Sequence, residues 1–149
     1  MGIDYGDVRV GIALTDPLKI ISSGYKTLKN SHTIFSAILE ICQKKEVESI
    51  VIGIPFDQYG EIGTTAKKVL RFAKELIDYL SENNCSLPLY EQDERYSTFE
   101  AHDFMRSIKV KKKNKKNIVD QIAASTILSN FMKSSRQVIL DFKKYEMTD

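Results

Sequence analysis

The sequence predicts a single α/β domain over residues 1–149, with its elements in the order βββαβαβαα. Three observations predict it. β-patterned segments with tight turns fill the first 28 residues, the hydrophobic period then switches to three or four from Ile34, and the apolar run Ile50-Val51-Ile52-Gly53-Ile54 stands between two amphipathic helical patterns. A chain of 149 residues is about the length of one domain.

Met1-Gly2-Ile3-Asp4-Tyr5 reads as a short first strand, and Val8 to Leu14 as a second after the Gly6-Asp7 turn. Asp16-Pro17 breaks the second strand and Ile20 to Leu28 supplies a third, which makes an antiparallel meander. Ser31 opens an amphipathic helix with Ile34, Ala37, Ile38, Ile41 and Cys42 on one face. The run ending at Ile54 has the look of a strand buried on both faces and is stopped by Pro55. A glycine-containing loop leads to a long helix striped with Ala66, Val69, Leu70, Ala73, Leu76, Ile77 and Leu80. Leu87-Pro88-Leu89-Tyr90 begins the fifth strand, its proline marking an entry or edge position. Ser97-Thr98-Phe99-Glu100 is a capping box for a helix running to about Ser107. Asn117 is expected to cap a last helix that turns Ile118, Ile122, Ala123, Ile127 and Phe131 inward; the Arg136–Asp149 tail has no clear pattern.

Composition narrows the function classes. A hydrophobic fraction of 42% argues against disorder and coiled coil, and no apolar run approaches the roughly 20 residues that span a bilayer. The chain passes from Met1 into glycine-rich sequence with no leader pattern, and Cys42 and Cys85 lack metal spacing; both features fit a cytoplasmic protein with free thiols. No nucleophile elbow, P-loop or full dinucleotide fingerprint is present.

The net charge of +2 is unevenly spread. Between Phe104 and Val119 there is no acid, while Arg106, Lys109, Lys111, Lys112, Lys113, Lys115 and Lys116 contribute +7 and leave −5 for the rest of the chain. Read as a loop, this run is either a solvated segment or a polyanion-binding one; lacking aromatic residues, it would grip phosphate rather than stack on bases.

Acids stand at three places where a purely surface role explains little. Asp4 lies in the first strand, Asp93 and Glu94 end the fifth, and Asp120 sits about one turn into the last helix, beside the small Ala123 and Ala124. Each also has a plain structural role open to it: Asp4 bonding the Gly6-Asp7 turn, Glu94 pairing with Arg95, Asp120 favoured by the helix dipole. Together they make an oxygen-rich set suited to hard cations such as Mg²⁺ or Mn²⁺. Adjacent strand residues face opposite ways, so one of Asp93 and Glu94 can join the set. Glu94 is the expected member, with Asp93 capping or orienting Arg95.

At these residues the sequence resembles the YqgF/RuvX family. The resemblance rests on Gly2-Ile3-Asp4-Tyr5-Gly6 with Arg9-x-Gly11-x-Ala13 and Asp16-Pro17, then Val51-Ile52-Gly53-Ile54-Pro55 with Gly60, then Asp93-Glu94-Arg95-x-x-Thr98-x-x-Ala101, and finally Asp120-x-x-Ala123-Ala124-x-x-Ile127-Leu128. These blocks follow the family's order across most of residues 2–132. The resemblance implies a ribonuclease H-like fold with a mixed five-stranded sheet flanked by helices. It also implies a metal-dependent, two-metal endonuclease maturing the 5′ end of 16S rRNA precursor, with Asp4, Glu94 and Asp120 as catalytic and metal-binding residues. A Holliday junction resolvase-like activity on branched DNA, and a non-catalytic ribosome-assembly factor, are the alternatives. The expected assembly is a monomer or weak homodimer. Asp4-x-Gly6 also resembles the phosphate loop of the actin and sugar-kinase superfamily, but that cleft needs two such domains and this chain supplies one.

Overall fold

The computed structural model describes residues 1–95 and 112–145, leaving aside the side chains of 112–114. The expected helix from Ser97 to Ser107, His102, and Arg106, Lys109 and Lys111 lie outside the described residues.

The meander forms as β1 (Gly2–Asp4), β2 (Arg9–Thr15) and β3 (Ser22–Lys29). Asp16 turns the β2–β3 hairpin, its Oδ1 accepting from the backbone N–H groups of Ile20 and Ile21, both at 2.7 Å. Helix α1 (Ile34–Lys44) and helix α2 (Thr64–Glu82) bracket β4 (Ile50–Ile54), and β5 (Leu89–Asp93) follows. The sheet order is β3-β2-β1-β4-β5, with β1, β4 and β5 parallel and the meander antiparallel. All of β4 is buried, as its unbroken apolar run requires.

Three features depart from the expectation. The tail contributes a sixth strand, β6 (Val138–Ile139), antiparallel to β5, so the sheet has six strands rather than five. Consequently β5 has a neighbour on each side, and Pro88 stands just before the strand, where its missing N–H breaks no ladder bond. The last helix, α3 (Lys112–Lys133), begins five residues before Asn117, so Lys112, Lys113, Lys115 and Lys116 belong to its first turns rather than to a loop. Lysine is a good helix former, and no glycine or proline interrupts the run. Asp120 is therefore more than two turns into the helix, too far from its N-terminus for the dipole to explain it.

The helices cover the sheet on both faces. Ile3, Val10, Ile12, Ile50, Ile52 and Ile54 pack against α1 and α2, whereas Ala13 and Val51 pack against Ala124, Ile127, Leu128 and Phe131 of α3. Under α3 the sheet is paved with glycine. A Cβ at Gly11 would stand 2.1 Å from the Asp120 carbonyl oxygen, and one at Gly2 would stand 2.8 Å from that of Ala124. Only a bare backbone admits the helix this close. Thr27 Oγ1 donates to the Asn117 carbonyl (2.8 Å) and Ser22 Oγ to that of Ser125 (2.9 Å), which ties the same helix to β3.

Candidate active site

The glycine paving brings the acids together. Asp4 ends β1 and is the register partner of Gly11, and the Asp120 backbone lies directly over Gly11. Asp4 and Gly2 share the face under α3, because strand residues alternate. Glu94 follows the last residue of β5, and its backbone N–H donates to the Ile54 carbonyl at 3.2 Å. Its side chain folds across β4 so that Oε2 would stand 2.6 Å from a Cβ at Gly53. Asp4, Glu94 and Asp120 thus occupy one edge of the sheet, at the C-terminal ends of the parallel strands, beneath one helix.

Their electrostatics record the crowding. Burial, reinforced by the charge of Asp120, raises the Asp4 carboxyl to about 7. Burial also raises Glu94 to about 8, with Asp4 and then Asp93 adding to it. Near neutral pH this edge holds protons that ordinary carboxyls have released.

Asp93 faces elsewhere. Its Oδ1 accepts from the Arg95 backbone N–H (2.9 Å) and its Oδ2 from Arg95 Nε (2.7 Å), so the arginine expected beside Glu94 is bound by Asp93. The residue that sequence reasoning missed is Arg9. Its Nε donates to Asp120 Oδ2 at 2.7 Å, with side-chain exposures of 33% and 18%. Arg9 sits in the Arg9-x-Gly11-x-Ala13 pattern, but nothing local to it points to a partner on the last helix.

The donor chemistry fits a hard divalent cation: carboxylate oxygens from three elements, two of them destabilised as anions by their surroundings. Among the described residues, however, no three Asp, Glu, His or Cys side chains stand close enough together to hold one ion as they are, and Arg9 engages Asp120. Lys115 and Lys116 are exposed at the start of α3, and Lys116 precedes Asp120 by four residues on the same helix face. Of the basic run, these two have described side chains.

The model of the RuvX family, described as Holliday junction resolvase, matches residues 1–134. The chain belongs to the RuvX family. Among curated relatives, a protein of Clostridium acetobutylicum named "Putative pre-16S rRNA nuclease" is 35% identical over 136 residues, covering 90% of this chain and 97% of that one. A protein of Rickettsia typhi with the same name is 37% identical over 130 residues, covering 86% and 80%. Among solved structures, Thermus thermophilus RuvC in complex with a Holliday junction substrate matches with a TM-score of 0.57 at 14% identity, covering 93% of this chain and 97% of that one. A second Thermus thermophilus RuvC structure gives 0.58 at the same identity, covering 93% of this chain and 98% of that one. The RuvX chain therefore shares the ribonuclease H-like fold of RuvC. Among its described residues no helix is long and apolar enough to cross a membrane.

Proposed function

We propose that this chain is a metal-dependent endonuclease that hydrolyses phosphodiester bonds in maturing the 5′ end of 16S rRNA precursor in the cytoplasm. The observation that carries the reading is the meeting of Asp4, Glu94 and Asp120 at one sheet edge under α3. Membership of a family whose relatives bear a pre-16S rRNA nuclease name supports the choice of substrate.

In this reading Asp4, Glu94 and Asp120 hold Mg²⁺ or Mn²⁺. Such ions, when bound in a pair, supply an activated water and stabilisation of the leaving oxygen. The chain's own residues set the conditions. Asp4 and Glu94 must give up the protons that burial leaves on them, and Asp120 must exchange its bond from Arg9. Lys115 and Lys116 draw a phosphate backbone to the first turns of α3, with Lys116 one helical turn (about 5.4 Å) before Asp120.

A second reading, a resolvase acting on branched DNA, is favoured by the family's description and by the fold shared with RuvC. Cleavage assays with a 16S rRNA precursor 5′ segment and a four-way DNA junction, each with Mg²⁺, Mn²⁺ or EDTA, decide between them. Metal-dependent cutting of the RNA alone is expected. Cutting of the junction alone selects the second reading, and inertness on both, with RNA still bound, selects a non-catalytic assembly factor.

A further inference from the structure

On the face of the sheet opposite α3, a cavity of about 320 Å³ opens beside the end of β1. Tyr5, the residue after Asp4, lines it together with the rings of Phe35 and Phe72; the Tyr5 and Phe72 centroids are 4.9 Å apart and those of Phe35 and Phe72 5.4 Å. Its polar side carries His32, Lys68 and Arg71 with Asn30 and Ser31, and one acid, Glu75, so the cations outnumber the anion. Lys68 and Arg71 stand three apart on α2, and so project from the same side of the helix. Arg71 is exposed and makes no hydrogen bond or ion pair among the described residues. Among the described residues Lys68 pairs with the exposed Asp7 alone, at 3.1 Å, a contact of little energetic weight that a stronger anion can displace.

Aromatic surface beside exposed cations is the chemistry that takes a nucleotide: rings receive the base, and guanidinium or ammonium the phosphate. The volume suits one such unit, being at the low end for small-molecule sites. Consecutive Cα atoms lie only about 3.8 Å apart, and Asp4 and Tyr5 point to opposite faces. A strand crossing the C-terminal end of β1 passes both faces there, the acids at Asp4 on one side and the mouth of this cavity beside Tyr5 on the other. We propose that the cavity is a nucleotide subsite for the substrate strand, holding a nucleotide that flanks the phosphate to be cut. This rests on the nuclease reading above.

The test is equilibrium binding of a short fluorescent single-stranded oligoribonucleotide in EDTA, where nothing is cut. Arg71→Glu is expected to weaken binding by about tenfold, the weight of one charged anchor, and His32→Ala by less. Both positions are exposed, so melting temperatures should match the wild type. Arg136→Glu, an equal charge reversal at an exposed position near β6, should leave binding unchanged. If Arg71→Glu binds as the wild type does, or Arg136→Glu weakens binding equally, the subsite is overturned. The nuclease reading then survives where Lys115→Gln with Lys116→Gln still weakens binding. If uridine 5′-monophosphate binds as tightly as the oligonucleotide and through Arg71, the cavity serves a free nucleotide and the assignment to the strand fails. A wild type that binds no RNA overturns both proposals.

Discussion

Arg9 Nε donates to Asp120 Oδ2 at 2.7 Å, a bond between residues 111 positions apart in the chain. It brings a permanent cation to an edge where Asp4 and Glu94 are crowded into keeping their protons. In the metal-free protein the guanidinium does for Asp120 part of what a bound ion would do. Arg9→Ala should lower the melting temperature in EDTA by an amount corresponding to about 1–2 kcal/mol, more than a fully exposed pair contributes because both side chains are partly shielded. Millimolar Mn²⁺ should narrow the gap between wild type and variant, since the ion replaces the missing charge and stabilises by mass action. A gap that is unchanged by Mn²⁺ means that ion and guanidinium do not share Asp120.

The raised carboxyls also set a pH dependence. In the folded protein Asp4 titrates near 7 and Glu94 near 8, well above their ordinary values of 3.8 and 4.5. Between those limits the folded state holds more protons than the unfolded one, so stability is full below the ordinary values and drains away as pH rises through 7 and 8. The buried Met1 amine, lowered to about 6 by burial, acts in the opposite sense over part of this range. The comparison is therefore between variants. In EDTA, the Asp4→Asn and Glu94→Gln double variant should lose less stability than the wild type between about pH 5 and about pH 8. Parallel melting curves for the two proteins would falsify the placement of these carboxyls in a desolvated cluster.

Glu94→Gln should abolish cleavage while leaving RNA affinity within about twofold, because the strand is held chiefly through phosphates elsewhere. Asp93→Asn should cost less activity, since Asp93 orients Arg95 and not the acid edge. Single-turnover cleavage measured beside equilibrium binding separates the two effects. The reverse pattern would assign the catalytic role to Asp93.

Much of this arrangement is legible in the chain because it is periodic. The α2 stripe and the buried run of β4 announce themselves, and the alternation of strand faces suffices to separate Asp93 from Glu94. What is hidden is what lacks a period. Lys112 to Lys116 carry no apolar spacing, so the helix they begin looks like a loop. Strand β6 is two residues long and exists through its pairing with Tyr90 and Glu91. The Arg9–Asp120 bond depends on α3 crossing β2, which no local pattern records.

Gly11 is the point where that crossing is tightest. A Cβ there would meet the Asp120 carbonyl oxygen at 2.1 Å and its carbonyl carbon at 2.6 Å, both backbone atoms of a packed helix. Gly11→Ala must therefore lift α3 from the sheet, at a cost in the upper part of the roughly 1–3 kcal/mol typical of overpacking. It should also displace Asp120, so that Mn²⁺ no longer stabilises whatever remains folded. Gly63→Ala is the control: at the start of α2 nothing lies within 4 Å of the added carbon, and the shift in melting temperature should be small. Similar melting temperatures for the two variants would show that α3 does not bear on the sheet at Gly11.

Lys115 and Lys116 offer the sharpest test of where the substrate lies. Both are exposed on α3, and neither makes an ion pair among the described residues, so their charge is free for a phosphate. Each phosphate neutralised contributes roughly −0.7 for a single strand, or −0.9 for a duplex, to the slope of log affinity against log salt. Lys115→Gln with Lys116→Gln should therefore flatten the slope by up to about 1.4 for single-stranded RNA. The weakening should be similar for unrelated sequences, since ammonium–phosphate contacts carry no base information. Stabilisation by Mn²⁺ should persist, because Asp4, Glu94 and Asp120 are untouched. A slope equal to that of the wild type would move the path of the strand away from the start of α3 while leaving the acid edge in place.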